Sequence, residues 1–564
     1  MTDLFNFVAR HKHLTGIQRV TLEAVRALTD VKCDATCKVL LLEKSGWHSA
    51  SAEDFVRYLN GHENIVQAIE NFEADKALRA ETEFTASDVV YFLGAPWTVP
   101  NFFRSLGKMR LCGARLVFYI HDVLPVEVPE FFEAFHVETF EKYMQTCLFF
   151  ASGILCNSEE TRASLFAHFD YGGPTGVVDL NLAPDFISKF AALPAEEKIS
   201  LANVNQELAE REFVLMVGTL EPRKNYVTAL NVWATLCRQL KDECPILVIV
   251  GKKGWMSNAL SSAIADFPFP DKILHLTDVE DNRLASLYQR TKFLLSLSRR
   301  EGWGLSVTEA LASGSACVAG NTSCAQAARQ GVVCTVDELS ERDVLEKITN
   351  LLVNKEKMIA LQTDCSEQPR FKTWSDFTND VIAFKDAIPR AKPTALTQFN
   401  PNTRYEFGHT RSDGSVEATQ DGRKFLFGLG WNPSDSWGCW SKLDRADLMF
   451  SVSEPGKYSF MAILTTTPAN EQFEVSVRCG DDLKWKGRLF PHRSKLVMMD
   501  IDVTERDGAV DVSFVSAPPK DFGDDPDTAE MRTLGFALIE AQITPKSDFE
   551  GRASALERLI ARYL

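Results

Sequence analysis

Ser298-Arg-Arg-Glu-Gly-Trp-Gly-Leu-Ser-Val-Thr-Glu-Ala-Leu-Ala-Ser-Gly314 is the stretch on which the reading of this chain turns. It follows the apolar run Phe293–Leu297, passes Gly302 and Gly304, and continues at helical spacing from about Ser306. Strand, turn, helix is the repeating unit of a sheet covered by helices. Glycines in the turn let the backbone approach a ligand, and the first turn of the helix offers N–H groups to an anion. Glu301 and Glu309 flank the turn with seven residues between them. A carboxylate in the turn can accept from sugar hydroxyls, and one a turn into the helix can take the two hydroxyls of a ribose. Taken singly, each glutamate would read as a solvated surface residue. The surrounding Gly-Trp-Gly turn favours a site.

Upstream, Val217-Gly-Thr-Leu-Glu-Pro-Arg-Lys-Asn225 closes an apolar run and opens a helix with Tyr226, Ala229, Leu230, Trp233 and Leu236 on one stripe. Arg223 and Lys224 therefore stand beside a helix N-terminus, where the dipole offers a cation nothing. As partners of a diphosphate they make sense, because that group suits both the cations and the dipole. Further upstream, Phe118-Tyr-Ile-His-Asp-Val-Leu124 puts His121 and Asp122 at the end of another buried run. Thr15-Gly-Ile-Gln-Arg19 opens the first helix, and its Gly16 allows close approach of a donor phosphate or simply starts the helix.

These units recur along most of the chain. Strands are expected at Leu4–Val8, Val89–Leu93, Arg115–Ile120 and Gly153–Cys156, and again at Phe213–Val217, Ile246–Val250, Ile273–Leu276, Phe293–Leu297 and Ala316–Ala319. The fold class is α/β with two tandem Rossmann-like domains, residues 1–200 and 201–390, and a ligand cleft between the carboxyl ends of their strands. After Pro389 short strands with turn residues take over, which predicts an all-β sandwich over 398–545. A helical tail over 546–564 carries Leu556, Leu559, Ile560 and Tyr563 on one stripe, with Arg552, Arg558 and Arg562 beside it.

Composition narrows the function. At 564 residues the chain exceeds a single core. A formal charge of −16 excludes broad nucleic-acid binding, which needs a basic surface. No apolar run reaches the roughly 20 residues that span a bilayer, and no secretory leader is visible. The 13 dispersed cysteines read as reduced thiols, so the expected location is cytoplasmic.

The motifs, in this order, resemble the family 4 retaining glycosyltransferases of the GT-B fold over residues 1–390. The resemblance rests on EGWGLSVTEALASG, VGTLEPRKN, YIHD and TDVEDNRLASLYQRT, with TGIQR and VGKKGW in agreement. It implies that Glu301 meets the donor sugar, Glu309 the nucleotide ribose, and Arg223 and Lys224 the diphosphate. His121, with Asp122, would lie near the transferred sugar, and Val279 near the nucleobase. Gly16, Gly302, Trp303, Gly304 and Leu305 would complete the donor site. The catalytic set would be His121, Asp122, Glu301, Arg223 and Lys224. Three departures stand out: Asn321-Thr-Ser-Cys-Ala-Gln326 replaces a segment with Pro and Glu after the serine, Ser306 replaces a proline, and the N-terminal loop has one glycine where many relatives have two.

The resemblance implies hexosyl transfer with retention from a nucleotide-diphosphate sugar, GDP-mannose or a UDP-hexose. The acceptor would be a glycan or lipid-linked saccharide in polysaccharide biosynthesis. No cofactor and no metal are expected, since no Asp-x-Asp motif is placed to hold one. Contact with the inner face of the membrane or with a polysaccharide-assembly complex is a further expectation. The sandwich is similar to accessory modules of bacterial polysaccharide glycosyltransferases. Its Trp431, Trp437 and Trp440 suit a core better than a sugar-stacking face. A non-catalytic scaffold subunit is the alternative from another class, and the retained charged residues argue against it.

Overall fold

The computed structural model describes the chain outside residues 1–3, 6–7, 9–15, 32–34, 44–45, 63, 97–98, 100–101, 103–105, 107–108, 111, 183, 195–196, 198–207, 209–210, 322–332, 368–370, 390–396, 409–419, 428–430, 433–437, 442–444, 468–472, 481, 492, 505–507, 517–533 and 564. Two parallel sheets organise the α/β part. The first has β4 (Val89–Phe92), β5 (Arg115–Ile120), β6 (Gly153–Cys156) and β7 (Thr175–Val177) side by side in chain order. Before them, β1 (Lys38–Glu43), β2 (Gly46–Ser51) and β3 (Ala80–Glu81) form a separate antiparallel sheet. The expected strand at Leu4–Val8 is a correction: its described residues Leu4, Phe5 and Val8 are helical. All three are buried in one cluster with Phe55 and Phe72, so packing overrides their strand-like character.

The second sheet contains β8 (Phe213–Val217), β9 (Ile246–Val250), β10 (Ile273–Leu276), β11 (Leu294–Ser296), β12 (Cys317–Gly320) and β13 (Cys334–Val336), in the order β10-β9-β8-β11-β12-β13. The order reverses between β8 and β11. A crevice opens outside the carboxyl ends of the strands at such a reversal, because the flanking helices go to opposite faces. The helix Tyr226–Leu240 buries the stripe expected of it, with Trp233 fully enclosed and its Nε1 donating to the Pro245 carbonyl at 3.0 Å.

The chain then returns to its first domain. The helix Trp374–Ala383 buries Phe377 and Val381 against Tyr119, Val117 and Val20. Thr378 Oγ1 donates to the Ala24 carbonyl at 3.1 Å, and Tyr91 Oη to that of Ile382 at 3.1 Å. The two sheets are thus joined twice, once by the interdomain connection and once by this returning helix.

The C-terminal module is a pair of antiparallel-rich sheets. One contains β14 (Arg404–Glu406), β15 (Gln420–Asp421), β17 (Cys439–Trp440), β19 (Gly456–Thr466), β22 (Lys495–Val503) and β24 (Phe536–Pro545). The other contains β16 (Leu426–Phe427), β18 (Arg445–Val452), β20 (Phe473–Cys479), β21 (Asp482–Leu489) and β23 (Gly508–Ser516). Trp431 fills the space between them, edge-on to Phe514 and Phe536, with Nε1 donating to the Asp447 carbonyl at 2.7 Å. Trp440 is also buried, and Trp437 lies outside the described residues. The tail forms the helix Phe549–Tyr563, whose Ala555 and Leu559 are buried against Met461, Ile463 and Ile539. Met449 of the sandwich is buried in the core cluster of the first domain, together with Trp47, Phe102 and Phe118. Among the described residues, no helix is long and apolar enough to cross a membrane.

Candidate functional site

The strand-order reversal brings two sequence segments together. After β8 the chain makes a short 3-10 turn, Pro222–Lys224, closed by Asn225 in the left-handed region at φ 57°. After β11 it enters the Ser298–Gly304 turn, where Gly304 at φ 87° starts the helix Leu305–Ala312. That φ suits glycine, and a residue without a side chain leaves the helix start open. The Arg299 amide donates to the Arg223 carbonyl at 2.8 Å and ties the two turns together.

Four charged side chains meet there. Glu301 Oε1 lies 2.5 Å from Lys224 Nζ, and its Oε2 lies 2.8 Å from Arg223 Nη1. Arg223 Nη2 lies 2.6 Å from Glu221 Oε1, while Nη1 also donates to the Arg300 carbonyl at 2.8 Å. Burial pushes the Glu301 carboxyl up, but Arg223 and Lys224 outweigh it and hold it at about 2. Burial works against the Arg223 charge too, and Glu301 and Glu221 more than offset it, so its pKa is raised. For Glu221 burial prevails and the pKa is raised, against the pull of Arg223 and Lys224.

Glu309, one turn into the helix, accepts from Tyr288 Oη at 2.7 Å through Oε2. Burial raises its pKa, with Tyr288 and then Arg19 opposing. Arg19 reaches from the first domain and makes a two-pronged ion pair with Asp281, one prong at 3.0 Å. Val279 is half-buried, packed on the second domain's core two residues before Asp281.

The first domain closes on this cluster. A Cβ placed on Gly302 would stand 2.1 Å from the His121 carbonyl oxygen and 2.9 Å from the Asp122 Cβ, so only glycine fits that turn. The Gly302 carbonyl accepts from Ser158 Oγ at 2.9 Å and from Thr161 Oγ1 at 3.3 Å. Arg300 pairs with Glu127, and Trp255 Nε1 donates to the Phe131 carbonyl at 2.8 Å. His121 Nε2 lies 2.7 Å from the Leu93 carbonyl, which places the proton on Nε2 and fixes the ring. Asp122 Oδ1 accepts from the Leu124 amide at 3.2 Å, and burial raises the carboxyl's pKa.

Most expected site residues therefore converge: His121, Asp122, Arg223, Lys224, Glu301 and Gly302 form one cluster. Trp303 and Leu305 pack against the core patch that contains Val20, Ala24 and Tyr119, so both serve the contact between the domains. Gly16 faces the same contact, since a Cβ there would come within 2.6 Å of Leu305 Cδ1. Of the departing segment, residues 322–326 lie outside the described residues. Sequence reasoning missed Glu221, Tyr288, Arg19, Asp281 and Ser158. Glu221 was legible in principle, as a carboxylate beside two cations at a strand end. Among the described residues, no group of three or more His, Cys, Asp or Glu gathers as a metal site would require.

Residues 198–368 match the family model described as glycosyl transferases group 1. The serotype-specific mannosyltransferase WbdA of Escherichia coli is 29% identical over 221 residues, 37% of this chain and 26% of that protein. The O-antigen chain mannosyltransferase B of Escherichia coli is 29% identical over 210 residues, 37% of this chain and 53% of that protein. The chain thus spans about a quarter to a half of the length of these relatives. Among solved structures, Anabaena Alr3699/HepE in complex with UDP is similar at TM-score 0.40 and 16% identity, covering 53% of this chain and 79% of that one. Trehalose-6-phosphate from E. coli bound with UDP-2-fluoro glucose is similar at TM-score 0.43 and 12% identity, covering 66% and 96%. The paired cations, the Glu301 turn and Glu309 all fall inside the segment that matches the glycosyl transferases group 1 model.

Proposed function

We propose that this chain moves a mannosyl group, with retention, from a nucleotide-diphosphate sugar to a glycan or lipid-linked saccharide during polysaccharide assembly. The observation that carries the reading is the meeting of Arg223, Lys224 and Glu301 at the strand-order reversal, beside an open helix start. The names of the two Escherichia coli relatives support mannose as the sugar.

In this reading the diphosphate lies on Arg223 and Lys224, with the helix start at Leu305 behind it. Glu301 turns from the cations to the hydroxyls of the donor sugar, and Glu309 holds the ribose. As the bond from the anomeric carbon to the diphosphate oxygen breaks, negative charge grows on the diphosphate. The fixed cations meet that charge without reorganising. The acceptor oxygen bonds to the anomeric carbon on the same face, and its proton passes to the departing diphosphate. His121, held by the Leu93 carbonyl, lines the sugar from the first domain. No resident cofactor or metal enters the reading.

A thermal-shift screen across GDP-mannose, UDP-hexoses and their nucleoside diphosphates selects the donor, because a ligand of the native state raises its stability. Transfer is then followed with that donor, and proton NMR reads the new linkage. A product with the donor's anomeric configuration supports the proposal; an inverted linkage retires it.

A further inference from the structure

Two carboxylates share Arg223, and they are not equivalent. Glu221 is 2% exposed and sits in a strand-end loop that is pinned on both sides. The Leu220 amide donates to the Lys252 carbonyl at 2.8 Å, the Gly254 amide to that of Leu220 at 3.0 Å, and the Lys224 amide to that of Glu221 at 3.1 Å. Glu301 belongs to the separate turn that crosses the cleft to the first domain. With Arg223 and Lys224, the two carboxylates form a quartet of zero net charge. A diphosphate gains little from a neutral cluster; it gains from two cations facing one carboxylate. One glutamate must therefore turn away, and Glu301, at 12% side-chain exposure against 2% for Glu221, is the one nearer the open cleft.

We infer that Glu221 is a positioning residue: it stays on Arg223 Nη2 and keeps the guanidinium fork turned so that Nη1 faces the diphosphate once Glu301 has left. Without it the fork would keep only the Arg300 carbonyl, and Arg223 Nε has no hydrogen-bond partner among the described residues to resist rotation. A planar fork acts through its direction, which a lysine ammonium does not share. The inference rests on the reading of Arg223 as a diphosphate ligand, and it adds the residue that aims it.

The test is a pair of substitutions at Glu221, each made with Arg223 intact and with Arg223→Lys. Glu221→Leu removes the acceptor at similar volume, and Glu221→Gln keeps an oxygen that accepts from Nη2. With Arg223 present, Glu221→Leu is expected to lower kcat about tenfold, and Glu221→Gln to recover it to within about threefold. With Arg223→Lys, the two substitutions are expected to give the same kcat, because there is no fork left to aim. A structural role would instead move the Tm and leave the kcat of the folded protein alone. Equal losses in both backgrounds, or none in either, overturn the inference. Binding of inorganic pyrophosphate, measured by calorimetry on the same four variants, gives a readout that needs no sugar. If no donor is turned over but the pyrophosphate coupling holds, the proposed function fails and Glu221 keeps its role; if the coupling is absent, the inference fails whatever the transfer assay shows.

Discussion

Gly302 and His121 touch across the cleft, with no room between them for a methyl group. The turn that carries Glu301 is thereby seated against the first domain, and Ser158 and Thr161 hold its carbonyl there. The two sides of the cleft are set in register by this backbone contact together with the Arg300–Glu127 and Arg19–Asp281 ion pairs.

Gly302→Ala should therefore push the domains apart at the site. Misplacement by about 1 Å costs on the order of a hundredfold in rate. Transfer should fall by that order, while nucleoside diphosphate binding, proposed to rest chiefly on Arg223, Lys224 and Glu309 of the second domain, should change little. Calorimetry beside the transfer assay checks both halves of the expectation.

Glu301 links stability to acid. Its carboxyl is held at about 2 in the folded protein, below the ordinary value of 4.5. A depressed folded pKa means stability that is present above the ordinary range and lost as pH falls towards about 2. The Tm advantage of wild type over Glu301→Gln should shrink steadily from pH 5 down to the acid limit. The same variant leaves Arg223 and Lys224 without their displaceable partner, so free nucleoside diphosphate should bind at least as tightly while transfer falls. An advantage that stays flat with pH would remove the ion pair from the folded protein's energetics.

Tyr288 supports Glu309 through a 2.7 Å hydrogen bond. Tyr288→Phe should weaken nucleotide binding by roughly three- to tenfold, the scale of one ordinary hydrogen bond. Glu309→Ala should weaken the free nucleoside diphosphate and the sugar nucleotide alike, whereas Glu301 substitutions should chiefly affect the sugar-bearing donor. Equal affinity of wild type and Glu309→Ala for the free nucleotide would contradict the ribose assignment.

The terminal helix is committed to the sandwich through Ala555 and Leu559. Leu559→Ala should cost about 2–5 kcal/mol locally, as large-to-small changes in cores do. Protease cleavage confined to residues 549–564 would read it out. Among the described side chains of the expected stripe only Leu559 is buried and Ile560 is exposed; a single exposed isoleucine binds bilayers weakly, so deleting those residues should leave liposome flotation unchanged.

Met449 makes a sharper test of modularity. It is buried in the first domain's cluster, so a fragment ending near residue 392 exposes that patch. The fragment should fold and bind nucleotide, because the sheets and their charged cluster lie before the cut. Its Tm should fall, and Met449→Glu in the full chain should reproduce part of the loss.

What the sequence determined by itself is local. Alternating apolar runs and helical stripes placed β4–β6 and β8–β12 within a residue or so, because burial on both faces of a parallel sheet leaves a short continuous apolar run. Strand ends by themselves put Arg223, Lys224, Glu301 and His121 at the carboxyl edge of the sheets. The same signal failed at Leu4–Val8, where burial among aromatic rings favours helix over the strand pattern. Tertiary structure alone decided which charges meet. Lys224 and Glu301 stand 77 positions apart, and they pair because β8 and β11 are neighbours in the sheet. Strand order is set by how helices divide between two faces, and no spacing in the sequence records it. For the same reason Arg19, Asp281 and Ser158 stayed silent: each acts through a partner supplied by a distant segment, so its chemistry exists only once the sheets are assembled.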